Sequence, residues 1–265
     1  MTTQARRLAL ICLLLALPVA TAIAQEGNYR LGKVLGLRYF TITQGEAATY
    51  EQRVKEFAYP HYDRHWPGVD WVLLKGDRGE QDGEYAFFSN FETLGLRNYY
   101  YPQEEGPFPR TEPMEEIWNA EVADHFSEFE FEDTFVGDYV LVGAETVSEM
   151  PWIDLIGIHH LNVTAGEEEA FEQFVTDEWN RKAHCPGVWI LIYKADRGER
   201  NGEYAMVYAF EQRTLRDLYF PNEGEDPTPE AERAFSPLLA VWTEIQANFL
   251  DDPPESEYTD FVLVR

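Results

Sequence analysis

Two segments of the chain, Trp71-Val72-Leu73-Leu74 and Trp189-Ile190-Leu191-Ile192-Tyr193, run apolar without alternating with polar positions. Such runs mark strands covered on both faces. Shorter apolar stretches punctuated by glycine and charged turns surround each of them. The pattern predicts strands at Leu37 to Thr43, Val69 to Lys75 and Tyr85 to Phe91, and a fourth around Asp138 to Val142. The same series recurs at Ile158 to Thr164, Val188 to Lys194, Tyr204 to Phe210 and Asp260 to Val264. Between them, Phe171, Phe174, Val175 and Trp179 share one helical face, and so do Phe235, Leu238, Leu239, Trp242, Ile245 and Phe249. Thr43-x-x-Glu46 and Thr164-x-x-Glu167 have the spacing of a capping box at a helix start. Each half therefore reads β-α-β-β-α-β.

The recurrence extends to residues. Pro67-Gly68-Val69 matches Pro186-Gly187-Val188. Lys75-Gly76-Asp77-Arg78-Gly79-Glu80 matches Lys194-Ala195-Asp196-Arg197-Gly198-Glu199, and Gly83-Glu84-Tyr85-Ala86 matches Gly202-Glu203-Tyr204-Ala205. Arg97 and Pro102 pair with Arg216 and Pro221; Gly36 and Gly45 pair with Gly157 and Gly166. The first copy holds two additional residues between Val54 and Pro67. The expected organisation is a signal segment over 1–24, one repeat over 25–143, a linker over 144–156 and a second repeat over 157–265. A lone β-α-β-β-α-β sheet has helices on one face only. Strands buried on both faces need a second sheet against the open one, and the other copy supplies it. The expected fold is α+β, two tandem repeats packed sheet to sheet as a barrel within one chain.

Charge and the N-terminus add context. Arg6 and Arg7, the apolar run Leu8 to Val19 and Ala22-Ile23-Ala24 form a secretory signal pattern with cleavage expected after Ala24. The protein is thus expected to be secreted or periplasmic and not membrane-integral. Acidic residues outnumber basic ones 48 to 21, a net charge of −27, and removal of the signal takes two arginines and no acid, leaving −29. So negative a surface repels nucleic acid. Homo-oligomerisation stays open. Cys12 leaves with the signal, so Cys185 stands alone and no intrachain disulfide or cysteine cluster can form. It reads as a small buried apolar residue.

The element order and the Thr-x-Gly-Glu…Pro-Gly-Val…Asp-Arg-Gly-Glu framework resemble the dimeric α+β barrel superfamily of ferredoxin-like domains, which includes antibiotic-biosynthesis-type monooxygenases and haem-degrading enzymes. The resemblance implies the fold and a cavity. The Asn, Trp and His set of the haem-degrading members does not map here, because Asn162, Trp179 and His184 have other spacings.

Candidate chemistry follows from the strands. If Leu161 and Val163 face the helices, His160 and Asn162 face the barrel interior, with Tyr39 and Thr41 at the equivalent places in the first copy. A few polar groups in an apolar cavity make a small-molecule site. His160 is the one candidate catalytic group. His61 and His65 have the i,i+4 spacing of metal ligands, but prolines bracket them and the second copy lacks the pair, so exposed loop histidines and no metal are expected. The Asp-Arg-Gly-Glu loops read as turn chemistry, with Arg97 and Arg216 pairing with acids. The leading expectation is an exported barrel that binds a small, largely apolar ligand between its sheets without a cofactor. The alternative is a cofactor-independent monooxygenase or isomerase of the antibiotic-biosynthesis-monooxygenase type. A second alternative is an acidic interaction protein with a filled core.

Overall fold

The computed structural model describes residues 31–43, 45–102, 112–143, 153–182, 184–223 and 226–264. The expected export signal and residues 144–152 of the expected linker lie outside the described residues. The first half runs β1 (Val34–Ile42), α1 (Ala47–Arg53), a π-helical turn (Val54–Ala58), α2 (Tyr59–His65), β2 (Val69–Gly79) and β3 (Tyr85–Phe91). It continues with α3 (Leu94–Tyr100), α4 (Glu112–Glu121), α5 (Ala123–Phe126) and β4 (Phe131–Leu141). The second half runs β5 (Leu155–Val163), α6 (Glu168–Phe174), a π-helical turn (Val175–Trp179), the two-residue β6 (His184–Cys185), β7 (Val188–Gly198) and β8 (Tyr204–Phe210). It ends with α7 (Arg213–Tyr219), α8 (Pro229–Phe249) and β9 (Leu250–Val264).

Eight strands close into an antiparallel barrel in the order β4-β1-β3-β2-β9-β5-β8-β7, because β7 returns to pair with β4, while β6 lies against β7. Closure removes the free strand edges that an open sheet exposes. The two halves join at β2–β9 and at β4–β7. These joints explain why β2 and β7 each extend to a glycine beyond the expected lysine. Gly76, Arg78 and Gly79 find ladder partners on β9, and Ala195, Arg197 and Gly198 find them on β4. Residues that read locally as a charged turn are held extended by the other half.

Both strand faces are buried. Val72 and Leu74 enter the barrel lumen with Leu35, Leu37 and Phe88, meeting Leu191, Tyr193, Val207 and Phe261 from the second half. Val69 and Leu73 face the first helical layer with Val54, Tyr62 and Trp66. Val188, Ile190 and Ile192 face the second layer with Phe171, Trp179 and Leu238. Cys185 is buried there, and burial pushes its thiol up to about 11, so it is inert apolar packing at neutral pH.

The capping boxes do not form. Helices α1 and α6 begin after Glu46 and Glu167, and neither end carries a side-chain cap. Gly45 and Gly166, at φ +97 and +94, instead fold each Thr…Glu pair into a backbone turn, with the glutamate N–H donating to the threonine carbonyl at 3.2 and 3.0 Å. Strand β5 also starts at Leu155, inside the expected linker, because Leu155 and Ile156 find partners on β8 and β9.

One difference between the halves has an energetic consequence. A Cβ placed on Gly76 would lie 1.8 Å from the backbone oxygen of Gln81, whereas Ala195 sits buried at the matching place. Gly76→Ala is expected to lower stability by about 1–3 kcal/mol, the range for overpacking, although the second half carries that same alanine. Chemical denaturation measures it, and an unchanged midpoint would show that the hairpin relaxes freely.

Candidate functional site

The Asp-Arg pairs of the two repeated loops reach across the barrel joints. Arg97, 2% exposed, donates to Asp138 of its own half at 2.6 Å and to Asp196 of the other at 2.5 Å. Arg197 donates to the Tyr101 carbonyl and to Asn98, both at 2.8 Å. At the opposite joint Arg216 is buried between Asp260 and Asp77, while Arg78 donates to the carbonyls of Phe220 and Pro221 and to Asp217. The repeated motif is thus an inter-half clamp, consistent with the structural reading of its sequence.

Each clamp needs a glycine beside it. Gly36 lies opposite Asp138 on β4, and Gly157 lies opposite Asp260 on β9. A Cβ on either would come within 3.2 Å or 2.8 Å of the aspartate oxygen. On the other flank the halves diverge. Gly36 is paired with Ser89, and Gly157 with Tyr208. The tyrosine packs against the second helical cluster, while the serine leaves room.

That room is part of a cavity of about 370 Å³ between the first half's sheet and its helices. Aromatic rings form most of its wall, among them Tyr62, Trp66, Trp71, Phe87, Trp118 and Phe126. Tyr62 stacks on Trp66 and Trp71 at 4.6 and 4.3 Å. Asp138, Ser89 and Tyr101 add polar groups to the lining, and Arg38 adds a cation. Burial pushes the Asp138 carboxyl above the usual carboxylate range, and Arg97 beside it offsets part of that rise. The Trp71 indole nitrogen is buried with no hydrogen-bond partner among the described residues.

The residues expected to form the site lie elsewhere. Tyr39 is buried in the lumen, stacked on Phe261 at 5.4 Å, with its hydroxyl pushed far up by burial. Thr41 is half-buried near the end of β1. His160 is 5% exposed, 6.1 Å from the Tyr139 ring, and its Nδ1 has no hydrogen-bond partner among the described residues. Desolvation, aided by Arg200 and His159, lowers its pKa to about 3. Asn162 does not join it inside the barrel. The β5–β9 register shifts around Leu161, and Asn162 donates to the Pro253 carbonyl at 2.9 Å on the exposed side. None of these four lines the cavity.

His61 and His65 depart from the loop expectation too. They lie on α2, whose first turn accommodates Pro60, and His61 is 1% exposed. The helical backbone runs without a break from the π-helical turn into α2, so Pro60 sits just past that turn. Among the described residues, no histidine lines the cavity. Trp179 and Asn162 donate to the carbonyls of Ile190 and Pro253.

The sequence signal that locates the cavity is the difference between copies. Trp66, Trp71, Phe87 and Ser89 replace Cys185, Ile190, Met206 and Tyr208, and the two additional residues fall between Val54 and Pro67.

No protein-family model matches the chain, and no curated protein matches it. Solved structures do. A candidate monooxygenase of Fusobacterium nucleatum subsp. nucleatum superposes with a TM-score of 0.51 at 8% identity, covering 88% of this chain and 92% of that one. A candidate chlorite dismutase gives 0.51 at 10% identity, covering 88% and 94%. The architecture is that of the dimeric α+β barrels. At such identities the likeness speaks for the fold alone. No described helix is long and apolar enough to cross a membrane.

Proposed function

We propose that the chain takes a flat, largely apolar molecule of phenol or hydroquinone type into the first-half cavity and oxidises it as a cofactor-independent monooxygenase. The observation that carries this is a buried carboxylate, Asp138, in the lining of a largely aromatic cavity. Aromatic walls suit a planar ring. A carboxylate with a raised pKa is a stronger base than one in water. Asp138 takes the phenolic proton, and dioxygen adds to the electron-rich ring. One oxygen atom enters the ring, the other leaves as water, and the product is a quinone. A fold shared with a protein described as a monooxygenase is compatible with this chemistry.

The two halves descend from one duplicated ferredoxin-like unit, and the chain is exported through its first 24 residues. The second copy kept its clamp and carries Tyr208 where the first has Ser89.

The test is oxygen consumption with a panel of hydroquinones and naphthols, together with quenching of tryptophan fluorescence as each is added. Asp138→Asn keeps the shape of the side chain and is expected to reduce turnover by about 100-fold or more while leaving the quenching in place. Turnover that survives in Asp138→Asn overturns the assignment of the base. Saturable quenching without oxygen uptake supports a second reading, a ligand carrier, which the Arg97–Asp138 contact at 2.6 Å favours because it engages one oxygen of the carboxylate. Absence of quenching across the panel removes both readings.

A further inference from the structure

We infer that His61, His65 and Glu121 form a binding site for one divalent transition-metal ion, of the zinc or cobalt type, that ties α2 to α4. Glu121 is the last residue of α4, and its Oε2 lies 3.1 Å from His61 Nδ1 and 3.1 Å from His65 Nε2. One ligand atom from each residue falls within 4.8 Å of the others. Ligands about 2.1 Å from a tetrahedral zinc ion stand about 3.4 Å from each other, so the two carboxylate contacts already have the needed separation. Imidazole and carboxylate donors suit borderline divalent ions, not calcium or magnesium.

The surroundings are built around one ligand in particular. His61 is buried by aromatic rings, Trp118 at 5.4 Å and Trp66 at 5.7 Å. Those contacts fix the ring and leave Nδ1 turned toward Glu121. His65 and Glu121 are partly exposed, so an ion has a path in and room for water as its remaining ligand. One cation competes. Arg64 Nη2 lies 3.3 Å from the same Glu121 oxygen, but its side chain is 62% exposed and can swing away. Trp66 and Trp118 also line the cavity, whereas His61, His65 and Glu121 do not, so the ion would brace the aromatic wall without entering the pocket.

The experiment uses the full chain without an affinity tag, stripped with a chelator and titrated with cobalt and zinc. Wild type is expected to bind one equivalent of cobalt, with a visible ligand-field band and quenching of tryptophan fluorescence, and zinc is expected to displace it. Zinc is also expected to raise the thermal midpoint, as any ligand specific to the folded state does. His65→Ala and Glu121→Gln, both at partly exposed positions, are expected to weaken binding at least about 10-fold while remaining folded. Arg64→Gln, which removes the competing cation, is expected to bind at least as tightly as wild type. The inference is overturned if binding is not saturable at one equivalent, or if it is abolished by moderate salt as diffuse association with the acidic surface would be. It is equally overturned if His65→Ala binds like wild type, or if Arg64→Gln binds more weakly.

Discussion

Arg216→Met is expected to lower the unfolding free energy by about 3–5 kcal/mol, the range for removing one partner of a buried ion network. The substitution keeps the apolar stem and deletes the charge. Asp260 and Asp77 then remain with 12% and 16% side-chain exposure and without their principal cation. Asp77 keeps the half-exposed Arg213, while Asp260 loses its ion-pair partner. The loss falls on the β2–β9 joint, because Asp77 belongs to the first half and Arg216 and Asp260 to the second. Urea titrations measure the effect. A loss below about 1 kcal/mol, the value of an exposed pair, would show that water reaches the network and that barrel closure rests on the ladders alone. Arg78, which reaches the same joint mainly through carbonyl contacts, is expected to be the milder site.

The protein is also expected to lose about 3 kcal/mol of stability between pH 7 and pH 4 through His160 alone. In the unfolded chain this histidine titrates near 6.5, and in the barrel near 3. The folded state holds the neutral form. Above pH 6.5 both states are neutral and the group contributes no difference. As pH falls below that, the unfolded state binds a proton that the folded state refuses, so the equilibrium moves toward unfolding until the folded-state value is reached. The physical cause is the lumen, where a charged imidazole would have apolar neighbours and the Arg200 cation nearby. Glu51 and Glu172, held below the usual carboxylate range by hydrogen bonds from Tyr85 and Lys75 and from Tyr204 and Lys194 against a burial effect that raises them, add to the acid sensitivity. The His160 share is isolated by comparison with His160→Leu, whose stability should fall less steeply over the same interval. Parallel curves for the two proteins would mean that water already reaches the imidazole.

The same two sites show how far local pattern carries. The pairing of Arg97 and Arg216 with acids was legible because both copies keep Asp-Arg in their loops and an arginine on the helix that follows. Which acids they meet was not, because Asp196 and Asp77 come from the opposite half. The inward direction of His160 followed from strand alternation. Asn162, two residues on, did not follow the same alternation, because irregularities in the β5–β9 ladder reset the side-chain direction there. Register is a property of the partner strand as much as of the strand itself. The His61–His65 spacing was visible, but Glu121 was not its visible partner, since 56 residues of sequence separate it from His65.

From the sequence by itself came the mixed α+β element order of each half and the expectation that both strand faces are covered. These follow from hydrophobic periodicity and from internal repetition, which act over a few residues or compare like with like. Only the tertiary structure decided where the empty space lies. The lumen is packed with apolar side chains from both halves, while the first helical layer stands over Ser89 and the second packs with Tyr208. A cavity is what remains when volumes from distant segments fail to fill an interval, and no local pattern records that sum.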